Sequence, residues 1–276
     1  MLATSDQLIV YQRKGDDVLI SINISDDIQQ KVIGRKGRGP KEFTSIDVQS
    51  LKPTNNGFVC MDAGGKLNEV IMGDDIEITS RHISTYGHPQ NGIILKSGFL
   101  SANIVNENSE YIFYTEDSDE PAFLFDYPDW TEDKAQPLSF TYMKNMVSHP
   151  TEDKFAAFYI NFRKLRILDS QGKLHYDIDV QVPNEFPVYS SDSPRRNLAY
   201  ASYPYASDQY IYALCLNTHI MDMLPEIHIW DWNGNLKKRL ILDNHIDIFA
   251  VDEDKSVLYG INVNSADTLY YQYFNN

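Results

Sequence analysis

A cluster of basic side chains is the sharpest local feature that could do chemistry in this chain. The stretch from Gly34 to Phe43 reads Gly-Arg-Lys-Gly-Arg-Gly-Pro-Lys-Glu-Phe and contains Arg35, Lys36, Arg38 and Lys41. Forked guanidinium groups and glycine-loop N–H groups suit a carboxylate or phosphate, so the cluster could clamp an anion. Solvated surface charge is the commoner use of such a run, and the stretch lacks the Gly-Lys-Ser/Thr of a phosphate-binding P-loop.

Carboxylates and histidines give weaker signals. Asp62 follows an apolar run and could face a ligand, but capping of the turn at residues 63–65 is the favoured interpretation. The acidic run 116–120 offers oxygen ligands for calcium, yet it lacks the spacing and glycine of an EF-hand loop, which favours a solvated loop. The histidines are scattered without an i, i+4 pair, so the sequence contains no local zinc motif.

Tyrosines crowd one region of the C-terminal half. A stacking platform for a sugar or a partner is one interpretation, because a phenol buries area yet keeps a polar group. We predict that Tyr210 and Tyr212 pack in the core and that Tyr203 and Tyr205, beside Pro204, lie at the surface. The band comprises Tyr200, Tyr203, Tyr205, Tyr210 and Tyr212.

The composition limits the class of protein. A formal charge of −15 disfavours binding to nucleic acid or to an anionic membrane. The chain has no apolar run of about 18 residues that could span a bilayer, and residues 1–6 lack the pattern of a signal peptide. Cys60 and Cys215 sit in separate apolar runs, which predicts two buried free thiols.

The elements that would position these residues are strands. Short period-two runs separated by Gly, Asp, Asn and Pro follow one another through the chain, and helical periodicity is nowhere sustained. The strand pattern predicts one domain of six pieces, each the span of a four-stranded propeller blade. The predicted pieces are roughly 1–34, 45–84, 91–130, 141–181, 197–242 and 246–276.

An internal repeat supports this division. Residues 167–174 align with residues 229–236, with Ile, Asp, Gly and Leu in register. We predict two hairpins of one design, each with its Asp (Asp169 or Asp231) as a turn cap, and a type I′ turn at Asn233-Gly234.

The fold expectation is therefore all-β: a six-bladed β-propeller of four-stranded antiparallel blades, closed by N- and C-terminal strands. The opening piece shows three strands without an innermost one, and the closing piece shows three without an outermost one. These ends suggest that an N-terminal segment has been trimmed. A pair of β-sandwiches fits less well, because the four-strand period continues through the middle of the chain.

The glycine-rich stretch is predicted to be a compact connector between blades. Its glycines permit positive φ, Pro40 prevents a helix, Glu42 could turn back to accept backbone N–H groups and Phe43 could plug a core. The stretch from Ile33 to Phe43, followed by residues 57–62, resembles the hallmark of NHL-repeat propellers and, more closely, of bacterial TolB-like six-bladed propellers. Residues 210–214, 229–234, 242–243 and 251–253 extend the resemblance over essentially the whole chain.

The resemblance implies a bacterial cell-envelope or periplasmic protein, exported or lipid-anchored, and it supplies no catalytic residues. Ligand sites of propellers usually open on the face that carries the loops between blades and between the two middle strands. The residues that we predict there as ligand-binding are Arg35, Arg38, Asp62, His88, Asn161, Arg163 and His219.

We predict a non-catalytic binding module without a cofactor, monomeric, whose partner is a protein or a glycan. It would not bind nucleic acid, and it would reach a membrane only through a lipid anchor that the sequence does not show. The alternative is a metal-dependent hydrolase or lactonase, in which calcium or another divalent cation at the axis polarises an ester carbonyl. Convergence of Asn161, Asp62 and Asp117 would support that alternative, and a purely structural scaffold is a third hypothesis.

Overall fold

The protein is described from a computed structural model. The structure describes residues 1–4, 6–12, 14–24, 29–62, 65–83, 91–105, 108–115, 117–118, 120–181, 191, 201–215, 225–265 and 269–274. Strands such as Lys154–Tyr159 and Tyr210–Cys215 are buried on both faces, whereas outer strands such as Leu174–Asp179 are largely exposed.

The described strands form six sheets, which we number as blades 1 to 6 in chain order. Blade 1 contains β1 (Leu2–Ala3), β2 (Gln7–Tyr11), β3 (Asp17–Asn23), β4 (Gln30–Lys36) and β5 (Glu42–Phe43). Blade 2 contains β6 (Lys52–Thr54), β7 (Gly57–Asp62), β8 (Lys66–Met72) and β9 (Ile76–His82). Blade 3 contains β10 (Gly92–Ile94), β11 (Phe99–Ala102), β12 (Tyr111–Tyr114) and β13 (Ala122–Leu124).

Blades 4 and 5 are more regular. Blade 4 contains β14 (Lys144–Ser148), β15 (Lys154–Tyr159), β16 (Lys164–Asp169) and β17 (Leu174–Asp179). Blade 5 contains β18 (Ala201–Ala206), β19 (Tyr210–Cys215), β20 (Glu226–Asp231) and β21 (Leu236–Ile241). Blade 6 contains β22 (Ile248–Asp252), β23 (Val257–Ile261) and β24 (Leu269–Tyr273).

This series of antiparallel sheets confirms the six-bladed β-propeller. One detail of its ends was wrong: blade 1 has its own inner strand, β1, which pairs with β2 through Leu2 opposite Ile9. The terminal strands β1 and β22 also contact each other. By contact density the chain divides into two compact units, Met1–Ile94 with Ile246–Asn276, and Leu95–His245.

Two helical turns interrupt the predicted strands. The sequence pattern also predicts a strand at residues 45–51, but a 3₁₀ turn, Val48–Ser50, lies within it, because Asp47 accepts the N–H of Gln49 at 3.1 Å and starts the turn. The helix α1 (Leu138–Thr141) precedes β14. None of the described helices is long and apolar enough to cross a membrane.

The core of the second unit lies where blades 4 and 5 pack together. One face of their middle strands forms this cluster together with Trp230 and Trp232, and the other face of those strands is buried as well. Burying each large apolar side chain contributes about 1.5–3 kcal/mol. The members of this cluster are Ala156, Phe158, Leu165, Ile167, Val180, Ala206, Ile211, Ala213, Cys215, Trp230 and Trp232. Cys60 and Cys215 are fully buried thiols that form no disulfide, as predicted.

The repeated hairpins of blades 4 and 5 share one turn. Asp169 and Asp231 each accept two backbone N–H groups through Oδ1, which confirms that they are turn caps. The predicted type I′ turn is wrong, because φ is positive at Gly234 but not at Asn233. The chain instead makes a three-residue bend that ends in a left-handed glycine, as at Gly172.

Candidate functional site

The glycine connector is held by its own side chains. Phe43 is completely buried, and Glu42 Oε2 accepts the N–H of Gly39 at 2.8 Å, as the sequence suggested. The proposed reason for the glycines was wrong, since neither Gly34, Gly37 nor Gly39 has positive φ. A Cβ at Gly37 would lie 1.9 Å from Glu42 Oε2, so a side chain here would displace the carboxylate that accepts the N–H of Gly39.

The basic cluster stands on the outside of this connector. Arg35 is 71% exposed at its side chain and pairs with Asp17 through an Nε–Oδ1 distance of 3.2 Å. Lys36, Arg38 and Lys41 are exposed. Exposed cations of this kind fit the solvated interpretation, and an anion site here remains a prediction.

Asp62 is buried at the end of β7. Its Oδ2 accepts the N–H of Thr44 at 2.8 Å, and its Oδ1 accepts the N–H of Ser45 at 2.6 Å. The carboxylate therefore fastens the connector to blade 2. These partners lie in the segment that follows Phe43, whereas the sequence interpretation placed them at residues 63–65.

The remaining predicted ligand-binding residues divide into two groups. Asn161 and Arg163 share the loop between β15 and β16, where Asn161 Nδ2 donates to the carbonyls of Phe140 and Thr141 at 3.1 and 3.0 Å. Arg163 is half-buried in that loop. His88 and His219 lie outside the described residues, so their placement stays a prediction.

A buried charge network lies beneath this loop, between blades 3 and 4. Glu110, fully buried just before β12, forms a close ion pair with Lys144 and accepts the Tyr159 hydroxyl at 2.6 Å. Its other oxygen accepts from Arg166 Nη1 at 3.1 Å. Arg166 Nε also lies 3.3 Å from Asp177 Oδ2, so two carboxylates face two cations. A buried network of this kind can tolerate no missing partner.

Aromatic rings enclose the network. The Lys144 ammonium lies 4.4 Å from the ring centre of Tyr111 and 5.0 Å from that of Tyr159. The ring of Trp130 packs edge-on against the ring of Tyr159, with 4.6 Å between the ring centres. Burial lowers the pKa of Lys144 from its ordinary value, and the Glu110 carboxylate opposes that shift. The rings exclude water and strengthen each ion pair.

The connections next to the network carry four exposed apolar side chains, Ile104, Val105, Phe140 and Met143, which we call the loop surface. Ile104 is 65% exposed and Phe140 is 62% exposed. Ile104 and Val105 lie between β11 and β12, and the other two lie in the connection from β13 to β14. The register pairs Tyr111, the first residue of β12, with Leu124, the last residue of β13, so both loops leave the same end of blade 3.

Hydrogen bonds tie the two loops together. Tyr127 OH donates to the Asn103 carbonyl at 3.1 Å, and the ring of Tyr127 lies 5.6 Å from that of Tyr142. Tyr142 OH in turn accepts the N–H of Trp130 at 3.3 Å. The loop surface therefore rests on a fixed base.

The surroundings of the loop surface are acidic. Residues 95–137 contain ten Asp or Glu and two Lys. Asp126, Asp129 and Glu132 are exposed in the connection that leads to Phe140. A complementary partner would thus combine apolar and positively charged groups.

Sequence reasoning missed both the network and the loop surface. Glu110 directly precedes the apolar run 111–114, and Arg166 interrupts an apolar alternation, so a search for charges within strand patterns could have found them. Their convergence depends on the packing of blade 3 against blade 4.

Within the described part of the chain, no group of three or more His, Cys, Asp or Glu side chains could hold a metal ion. Asp117 is exposed, and the side chains of Asn161 and Asp62 bond backbone groups. These residues therefore provide no support for the metal-dependent alternative.

Comparison with known proteins gives similarity of fold. No family model and no curated protein matches the chain. The propeller domain of Myceliophteria thermophila Cps50 (Swd1) aligns at 14% identity over 100% of this chain and 99% of its own, with a TM-score of 0.44. A chain of the mitotic checkpoint complex aligns at 11% identity over 95% of this chain and 72% of its own, with a TM-score of 0.47.

A putative 6-phosphogluconolactonase from Bacteroides uniformis aligns at 11% identity over 93% of this chain and 78% of its own, with a TM-score of 0.40. Identities this low concern the fold alone, and TM-scores below 0.5 carry no argument about function. The class of the protein, a six-bladed β-propeller, therefore rests on its own strands.

Proposed function

We propose that the protein is a non-catalytic binding propeller that holds a partner protein at the loop surface. The observation that carries this proposal is the exposure of four apolar side chains on loops that a hydrogen bond ties together. Exposed apolar groups on a fixed base can be buried by a partner at little cost in conformational entropy. The proposal requires no cofactor, and a monomer suffices.

A protein partner fits this surface better than a glycan. Sugars stack on flat aromatic rings, whereas Phe140 is the one aromatic member of the loop surface and Ile104, Val105 and Met143 have no ring. Apolar side chains with an acidic rim are suited to a protein surface that carries apolar anchors and basic residues.

We also propose a place in the bacterial cell envelope and membership of the TolB-like or NHL-like propellers. This part rests on the resemblance of the connector, whose Phe43 plug and Glu42 hydrogen bond give the motif a structural reason. Fractionation of the native host cells, followed by immunoblotting, tests it: recovery in the cytosol alone would contradict it.

Site-specific photo-crosslinking tests the binding surface. We would place a photoreactive phenylalanine analogue at Phe140 in the full chain and, as a matched control, at Phe123, which is 49% exposed on β13 of blade 3. We expect a protease-sensitive adduct at Phe140 and none at Phe123. The substitution Val105→Asp should remove that adduct, because a carboxylate would have to be buried with the partner.

Equal adducts at both positions, or an adduct that Val105→Asp leaves unchanged, would contradict the loop surface as the binding site. An adduct that only glycosidases digest would replace the protein partner with a glycan.

A further inference from the structure

Blade 6 differs from the other blades at its outer edge. Blades 1 to 5 each show at least four strands, whereas blade 6 shows β22, β23 and β24. Strand β24 therefore has the third position in its blade. In blades 2 to 5, a fourth strand pairs with the strand at this position. Within the described residues, no strand pairs with the outer side of β24.

The register shows which backbone groups face outward. Val257 lies opposite Tyr273, and the N–H of Phe274 donates to the Ser256 carbonyl at 3.0 Å. Ser256 and Phe274 are therefore a hydrogen-bonded pair. In an antiparallel ladder such pairs alternate with non-hydrogen-bonded pairs, and Val257 with Tyr273 is one of these. The backbone groups of Leu269, Tyr271 and Tyr273 consequently point away from β23.

The sequence of β24 also lacks the usual protection of an edge. The outer strands of blades 2 and 4 carry charges that discourage pairing with other chains: β9 has Glu77 and Arg81, and β17 has Asp177 and Asp179, whereas the three-residue β13 of blade 3 has none. In blade 5, the outer strand β21 contains two lysines and an arginine. Strand β24 reads Leu-Tyr-Tyr-Gln-Tyr, with no charge and no proline.

We propose that β24 is a docking edge for an extended, positively charged segment of a partner protein, which adds to blade 6 as its fourth strand. This inference does not depend on the loop surface. Tyr271 is 65% exposed and Tyr273 is 70% exposed, and their ring centres lie 5.9 Å apart. Such rings offer faces to the lysine or arginine side chains of an added strand.

The acidic charge around β24 indicates which kind of strand would bind to its edge. Residues 246–276 contain five Asp or Glu and one lysine, and that lysine, Lys255, already pairs with Asp6 and Asp252. A second copy would bring the same acidic surroundings and a further formal charge of −15. A basic strand would be attracted to this acidic edge, whereas a second copy of the chain would be repelled by it.

Amide hydrogen exchange on the full chain tests the proposal. The probe is the synthetic peptide acetyl-Thr-Lys-Val-Lys-Val-Thr-amide, and the control is the same peptide with Glu in place of both Lys. At saturating lysine peptide, we expect exchange of the outward amides of Leu269, Tyr271 and Tyr273 to slow by about tenfold or more. Exchange at Gln272, whose N–H faces β23, should change little.

Two variants separate backbone pairing from ring contacts. Tyr271→Pro removes an outward N–H and should abolish the protection at Leu269 and Tyr273. Tyr271→Ser keeps that N–H and should retain protection at a higher peptide concentration. Should Tyr271→Pro fail to fold by circular dichroism, the two peptides and Tyr271→Ser still decide the matter.

Several results would overturn the inference: no slowing with the lysine peptide, equal slowing with the glutamate peptide, or slowing that a folded Tyr271→Pro retains. Slow exchange without peptide would also overturn it: slowing that grows with protein concentration would assign the edge to a second copy, and slowing that does not would assign it to another segment of this chain. The photo-crosslinking at Phe140 does not involve β24, so each proposal can fail alone.

Discussion

Blades 4 and 5 use the same hairpin with opposite charges. In blade 4 the third strand supplies cations, and Arg166 lies opposite Asp177 of the fourth strand. In blade 5 the third strand supplies a carboxylate, Glu226, which pairs with Arg239 of the fourth strand through two contacts of 2.8 Å. Each hairpin has the same capped turn and a register shift two residues before its Asp.

The difference lies in where the charges find partners. Arg166 reaches beyond its own blade to Glu110, just before β12, and completes the buried network. Glu226 pairs with His228 and Arg239 inside blade 5, and the Arg239 side chain is partly exposed. The repeated turn therefore specifies the backbone, while the charges specify whether a blade closes on itself or joins its neighbour.

Removal of the shared carboxylate should have the largest effect. Glu110→Gln leaves Lys144 and Arg166 buried with one fewer negative charge, and we expect the free energy of unfolding to fall by about 3–5 kcal/mol. The matched change Glu226→Gln should cost about 1 kcal/mol, because Arg239 can turn to water. Denaturant unfolding measures both losses of unfolding free energy. Equal losses would contradict the proposed difference between a buried network shared by two blades and an ion pair inside one blade.

The turn glycines provide an intermediate test. Gly172 and Gly234 both have positive φ, so alanine at either should cost about 1–2 kcal/mol. A Cβ at Gly234 would also lie 2.5 Å from Ile178 Cδ1, whereas no atom lies within 4 Å of a Cβ at Gly172. We expect Gly234→Ala to lower the thermal stability more than Gly172→Ala, and the reverse order would contradict the described packing.

The pH dependence of blade 5 should be the smallest effect. Burial lowers the pKa of His228 from 6.5, although Glu226 opposes this shift. Below about pH 6.5 the unfolded chain takes up a proton that the folded chain still excludes, so acidification favours unfolding. Unfolding free energies at pH 7 and pH 5 should differ less in His228→Gln than in the parent protein. An unchanged difference would remove His228 from this account.

Local patterns were sufficient for much of the fold. The sequence pattern predicts the middle strands of blades 4 and 5 at residues 154–160, 164–169, 209–216 and 226–232, within a residue or two of their observed bounds, although these strands are buried on both faces. The same reasoning failed at Val48–Ser50, where a side-chain cap produces a 3₁₀ turn. It also misjudged Gly37, whose requirement comes from the Glu42 side chain rather than from its own φ.

By itself, the sequence determined the strand order, the number of blades, the capped turns at Asp169 and Asp231 and the buried thiols. Each of these follows from residues that are close in the chain. Tertiary structure alone decided that Glu110 meets Lys144 and Arg166, and that Ile104 and Phe140 stay exposed. Those contacts join residues 34 to 56 positions apart, and their energy depends on how one blade packs against the next.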